Sequence, residues 1–164
     1  MVTIEQYTPQ KSDQVATLQV KPEQTQYTIS DVLRVITKLK AHEHPHLILD
    51  DGIVVGFFLL DTNYLSSLNL GIETVSLSSV LGIRALLIGG EFQGRGLATQ
   101  MLKALPSYLN ESYPERSAVY LTVNCRNVAA YQCYLKAGFQ DTGNLYHGGP
   151  AGPQHIMMLH VSDV

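Results

Sequence analysis

The stretch "LLIGGEFQGRGLATQML", residues 86–102, starts as an apolar strand and ends as a helix. Between the two lies a loop with four glycines and one arginine. Glycine removes the side chain and opens left-handed backbone angles, so here the chain turns tightly or something comes close to it. A strand running through glycines into a helix aims several unpaired main-chain N–H groups in one direction. Together with the helix dipole they form an anion site, and its usual guest is a phosphate or pyrophosphate. Gly94 and Gly96 suit the turn and the close approach, and Arg95 adds a charge at the rim. A plain strand-to-helix turn with no ligand would show the same residues. Two phosphate-binding patterns do not fit. The nucleotide P-loop needs Gly-Lys-Ser/Thr, but Leu97 and Ala98 follow Gly96; the dinucleotide fingerprint needs Gly or Ala where Thr99 stands.

Outward from this loop, "SVLGIRALLIG" (79–89) reads as the buried strand that leads into it. The helix after it carries Leu97, Met101, Leu105 and Leu109 at four-residue spacing, widened by Ala98 and Leu102. Pro106 falls in that stripe and is expected to kink or end the helix. "SAVYLTVN" (117–124) is a strand and "VAAYQCYLKAG" (128–138) a helix, with Gly138 just past its end. "FQDTG" (139–143) and "QHIMMLHV" (154–161) supply two closing strands. Upstream, "VTIEQY" (2–7) alternates like a strand, and a short helix is expected around Asp13 to Gln19. In "TISDVLRVITKLKAH" (28–42), Ser30 is the candidate N-cap and Val32, Val35, Ile36 and Leu39 form one stripe. "HLILDDGIVVGFFLLD" (46–61) sets Asp51-Gly52 between two apolar runs, a strong hairpin signal. Residues 63–79 are ambiguous between loop, helix and strand. Without repeats or linkers, residues 1–164 read as one mixed α/β domain, long enough to bury its own core.

Bulk properties narrow the partners. A net charge of −3 and the lack of any Lys/Arg run argue against nucleic acid. The longest apolar run, "IVVGFFLL", is far too short to cross a bilayer, and "MVTIEQYTPQ" has no secretory pattern. Cys125 and Cys133 suggest no disulfide framework. The expectation is a cytoplasmic protein with neither membrane nor nucleic-acid partners.

Gln93, Gly96 and Ala98 meet the pattern Gln/Arg-x-x-Gly-x-Gly/Ala, and downstream "NVAAYQCYLKAGF" meets Asn-x-x-Ala-x-x-x-Tyr-x-x-x-Gly-Phe through Asn127, Ala130, Tyr134, Gly138 and Phe139. In these two blocks the chain resembles the GCN5-related N-acetyltransferase (GNAT) superfamily. The motifs occupy residues 84–139, and the element order matches over about residues 30 to 160. The resemblance implies an α+β, three-layer α/β/α acyl-CoA N-acyltransferase fold. Its sheet would be mixed and mostly antiparallel, with about six to seven strands and about four helices. It also implies acetyl-CoA as co-substrate, an amine acceptor and no metal. By this likeness the main chain of Leu86, Leu87 and Ile88 serves the pantetheine arm and thioester, with the Ile88 N–H facing the developing oxyanion. Gln93, Gly94, Arg95, Gly96, Leu97, Ala98 and Thr99 would serve the pyrophosphate.

Tyr134 is then the expected general acid, since a phenol of pKa about 10 holds its proton at neutral pH and can pass it to a thiolate. Packing is the ordinary role of a tyrosine in such a stripe. Tyr131, one turn earlier, is read as mainly core and as a secondary cofactor contact; Asn127 contacts the cofactor arm or caps its helix. No base is assigned, because Glu23, Glu73, Glu91, His147 and His155 read as surface residues and only Arg84 is charged on the strand before the loop. "HEHPH" (42–46) spells the zinc-protease pattern, but Pro45 breaks the helix that metal binding needs; a helix ending near His42 is expected instead. "LQVKPEQTQYTIS" partly resembles a segment of bacterial polyamine or diamine acetyltransferases through Leu18, Val20 and Gln24, with Tyr27 as the candidate aromatic. The acceptor implied is a small amine such as a polyamine. The alternatives are a protein N-terminal or lysine acetyltransferase and a non-catalytic acetyl-CoA sensor. A homodimer is expected only by analogy with relatives.

Overall fold

Asp51 and Gly52 both take positive φ (48° and 85°), as a two-residue type I′ hairpin turn requires. They join β2 (Glu43–Asp50) to β3 (Ile53–Asp61), and the alternation of the two strands sorts their side chains between two layers. Leu47, Leu49, Phe57 and Leu59 pack with Val15 of α1 (Ser12–Ala16) and Val32 of α2 (Val32–Thr37). Ile48, Phe58 and Leu60 pack instead with α4 (Leu97–Ser112). The computed structural model describes residues 1–25, 31–68 and 79–161. In them, β1 (Val2–Gln6), β4 (Val80–Ile88), β5 (Ala118–Asn124), β6 (Gln140–Tyr146) and β7 (Gln154–His160) complete a seven-stranded sheet. Its order is β1-β2-β3-β4-β5-β7-β6, and β4 with β5 is the parallel pair among antiparallel neighbours. On one face lie α4 and α5 (Val128–Lys136); on the other lie α1, α2 and α3 (Tyr64–Leu68). This is the three-layer fold that the resemblance implied, with five α-helices among the described residues rather than about four.

Three local expectations need correction. Helix α2 is shorter than its apolar stripe and ends at Thr37, whose hydroxyl donates to the Arg34 carbonyl at 2.7 Å and takes an acceptor that a further turn would use. Leu39 still packs on the same cluster, but from beyond the helix. The N-cap is Asp31, accepting from the Arg34 N–H at 3.1 Å; Ser30, expected there, lies outside the described residues. Pro106 does not end α4, which runs on to Ser112. A proline inside a helix costs about 3 kcal/mol, whereas Leu97, Met101, Leu102, Leu105 and Leu109 are all buried. At about 1.5–3 kcal/mol for each such side chain, packing outweighs the proline. The ambiguous stretch contains α3, and residues 69–78 lie outside the described set.

Strand β4 carries one irregularity. Its register with β3 slips between Phe57 and Leu59, and there Ala85 has φ 55°. A left-handed alanine costs roughly 1–2 kcal/mol. Before this bulge Leu81 and Ile83 face the α4 layer; after it Leu86 and Ile88 do, and Leu87 turns to the α1–α2 layer.

Candidate active site

The parallel pairing of β4 and β5 covers just three residue pairs, Val80–Ala118, Leu81–Val119 and Gly82–Tyr120. Beyond these the strands part. They leave a cleft of about 580 Å³ between Leu86, Leu87 and Ile88 on one wall and Thr122, Val123 and Asn124 on the other. A gap in a sheet exposes main-chain groups that a neighbouring strand would otherwise use, so an extended ligand can be held there by backbone alone.

The glycine loop closes the mouth. Gly94 and Gly96 are both left-handed (φ 80° and 72°), and Gly96 is the N-cap of α4. A side chain at Gly94 would meet nothing within 4 Å, so the glycine serves the backbone turn and leaves the surface above it bare. The N–H groups of the first helical turn have no intrahelical acceptor; the Gln100 N–H is the one that reaches back to the Gly96 carbonyl, at 3.0 Å. Gln93, Gly94, Gly96, Leu97, Ala98 and Thr99 all border the cleft. The Gln93 side-chain amide donates to the Ile88 carbonyl at 2.8 Å and so ties the loop to the end of β4. Arg95 does not border the cleft. Its guanidinium lies 5.7 Å over the Phe92 ring and donates to the Glu91 carbonyl at 3.4 Å.

Helix α5 delivers Tyr134 and Asn127 to the same space. No hydrogen bond to the Tyr134 hydroxyl is found among the described residues, yet the hydroxyl is not sealed away from the cavity. Burial, followed by the nearby Cys133 and Tyr64, pushes this phenol above its ordinary range, so it stays protonated well past neutral pH. Asn127 is the N-cap, its carbonyl oxygen accepting from the Ala130 N–H at 3.4 Å, and it borders the cleft as well. Tyr131 stands apart. It lies one turn before Tyr134 but outside the cleft lining, and its hydroxyl donates to the Asp141 carboxylate at 2.9 Å beside His155.

Sequence reasoning missed much of the far wall. Thr122, Val123, Asn124, Cys133, Pro150 and Ala151 carry no local pattern and meet only because β5 and the β6–β7 loop flank β4. That loop is moored through the Ala151 carbonyl, which accepts from the Asn124 amide at 2.9 Å and from Arg126. Val20 borders the cleft, whereas Leu18 is buried in the α1–α2 core; Tyr27 and Glu73 lie outside the described residues. Glu23, Glu91, His147 and His155 do not line it. The "HEHPH" run lies in and just before β2, so its histidines cannot share a metal at helical spacing. His42 Nδ1 is 2.8 Å from the buried Asp61, His44 Nδ1 is 2.7 Å from the Tyr113 hydroxyl, and His46 Nε2 is 2.6 Å from the Tyr108 hydroxyl. Asp61 also meets Arg84 at 3.3 Å.

A profile of the acetyltransferase (GNAT) family matches residues 9–139. The chain belongs to this family. It is 30% identical over 118 residues, 70% of this chain and 68% of the other, to the uncharacterized N-acetyltransferase YbbJ of Bacillus subtilis. Over 62 residues, 38% of this chain and 40% of the other, it is 39% identical to the spermine/spermidine N(1)-acetyltransferase of Bacillus subtilis. Its fold is similar to the aminoglycoside acetyltransferase AAC(6')-Ib in complex with coenzyme A, with TM-score 0.74 at 23% identity over 98% of this chain and 95% of the other. The ribosomal-protein-S18-alanine N-acetyltransferase of Escherichia coli gives TM-score 0.66 at 16% identity, over 100% and 96%. As a family member the protein is an acetyl-CoA-dependent N-acetyltransferase. The cleft is compatible with that co-substrate: left-handed glycines stand at a helix N-terminus, where anions bind, and β4 and β5 no longer pair with each other along its walls. Among the described residues no helix is long and apolar enough to cross a membrane, and no cluster of three or more His, Cys, Asp or Glu is placed to hold a metal.

Proposed function

We propose that the protein moves the acetyl group of acetyl-CoA to the primary amine of a small molecule by direct attack, with Tyr134 as the general acid. The observation that carries this is one cavity bordered by both the left-handed glycine loop and the Tyr134 side chain. The loop from Gln93 to Thr99 holds the diphosphate, and the edges of Leu86 and Leu87 align the arm. The Ile88 N–H faces the carbonyl oxygen as it gains charge, a donor typically worth about 3 kcal/mol of barrier. Tyr134 gives its proton to the departing thiolate and regains one from solvent. With no carboxylate or imidazole among the lining residues described, the amine loses its ammonium proton to water before attack or arrives neutral. The N–H proton shed as the amide forms also goes to water, balancing the one Tyr134 regains.

For the acceptor, a polyamine is the first candidate. It is supported by the Leu18–Val20 segment, with Val20 at the cleft, and by the partial likeness to the spermine/spermidine enzyme. Two free thiols, Cys125 and Cys133, suit a reducing cytoplasm. The test follows thiol release from acetyl-CoA over spermidine, spermine, putrescine, an aminoglycoside and an alanine-terminated peptide. Turnover highest with the polyamines is expected. Turnover confined to the peptide would move the assignment to protein N-termini, and acetyl-CoA binding without turnover on any amine would make the protein a sensor.

A further inference from the structure

The strands that open the cleft are held together as far as Gly82 and Tyr120, and the cavity wall begins beyond them, at Leu86 and Thr122. Over Gly82 packs Tyr64, the first residue of α3, which is 3% exposed and lies behind the cavity wall, not in it. Its ring occupies the space a side chain on residue 82 would need: a Cβ there would stand 1.8 Å from the ring Cγ and 2.0 Å from Cδ1. An atom cannot sit at half a van der Waals contact, so Gly82 and Tyr64 are one device, with β4 giving up a side chain to receive a ring from the opposite layer. The Tyr64 hydroxyl then approaches Thr122 across the parting strands. Thr122 is part of the cavity wall. Tyr64 therefore backs that wall from the α3 side, whereas Tyr134 comes from the α5 side. The acetyl-transfer chemistry gives Tyr64 no task.

We infer that Tyr64 is a specificity-determining residue, the backing of the end wall that restricts the acyl group to two carbons. This rests on the reading of the cleft as the acyl-CoA site. With the diphosphate at the glycine loop and the arm along Leu86–Ile88, carbons beyond the thioester carbonyl run toward Gly82. There they meet Thr122 with the Tyr64 ring behind it. A longer acyl chain needs the volume of that ring. Where room exists, each buried CH₂ favours binding by about fourfold; where it does not, the added carbons are refused.

Calorimetric titration with CoA, acetyl-CoA and butyryl-CoA tests this without any knowledge of the amine. The wild-type protein is expected to bind acetyl-CoA at least as tightly as butyryl-CoA. Tyr64→Ala should raise the butyryl-to-acetyl affinity ratio about fifteenfold, two methylenes' worth, and leave the affinity for CoA itself in place. Tyr64→Phe keeps the ring and should keep the wild-type ratio. If the alanine variant does not fold, Tyr64→Leu, which retains the contact over Gly82 and shortens the wall, should shift the ratio the same way. A ratio unchanged in the alanine and leucine variants, with acyl-CoA still bound, overturns the end-wall role alone. A wild-type protein that binds no acyl-CoA overturns the cleft reading beneath it.

Discussion

The two ends of the cleft are built from different material. At the mouth, Gly94 and Gly96 offer main chain and a helix terminus, with hardly a side chain in the way. At the other end, Thr122 of β5 and Tyr134 of α5 present hydroxyls to the cleft, with Tyr64 of α3 behind Thr122. Main chain grips a polyanion whatever is attached to it; side chains decide what reacts and what fits. Changes at the mouth should therefore weaken binding, and changes at the other end should alter turnover or selectivity.

The sharpest separation should come from Tyr134→Phe. Under the proposed mechanism this substitution should lower kcat about 10²- to 10⁴-fold while the calorimetric affinity for acetyl-CoA holds. Turnover within twofold of the wild type would remove Tyr134 from the chemistry. Because burial raises this phenol's pKa, the rate should show no alkaline decline from its ionisation as far as pH 10. A limb centred near pH 9 that disappears in the phenylalanine variant would contradict this.

Next in size is an effect of acid on the helix that carries the mouth. Tyr108 of α4 meets the fully buried His46, whose imidazole is pushed down to about 4 from its ordinary 6.5, chiefly by burial. The unfolded chain takes up that proton first, so stability falls as pH drops below about 6.5 and the loss is complete somewhat below pH 4. The full loss from this group is about 3 kcal/mol. Urea unfolding at pH 7 and pH 4.5 measures most of it, and His46→Gln should flatten the difference. An equal pH dependence in that variant would assign the acid sensitivity to other groups.

A smaller change is expected for Gly96→Val, which places a β-branched residue at φ 72°. Strain of roughly 1–2 kcal/mol should weaken acetyl-CoA binding by about tenfold, with kcat at saturation nearly kept. If kcat falls and affinity stands, the mouth is helping the chemistry and the division between the two ends fails.

The same division explains what could be read from the chain beforehand. The mouth is contiguous, residues 86–99, and its glycines record a backbone demand that no other residue meets, so the amino-acid order displays it. The place of Tyr134 beside the cleft was legible because Asn127 caps its short helix and Gly138 lies just past the end. The rest of the other end was not. Tyr64, Gly82 and Thr122 come from three separate segments, and each alone looks like an ordinary core or strand residue. Their meaning arises only when β4 and β5 part. Pro106 and the overlong reading of α2 failed for a related reason: a proline or a Thr37 hydroxyl is a local signal, and tertiary burial or a competing hydrogen bond decides its outcome. Arg95 was placed in the right loop, but its side chain found Phe92 instead of the rim.

One residue of β4 reaches further than its size suggests. The surplus position at Ala85 shifts the alternation by one residue, so that even-numbered Leu86 and Ile88 take the α4 layer that odd-numbered Leu81 and Ile83 take before it. Deleting a single amino acid there would restore a regular ladder with Leu86, Leu87 and Ile88 still facing their present layers, but would remove the bend by which β4 leaves β5. The gene segment for this strand should tolerate substitutions far better than any change in its length.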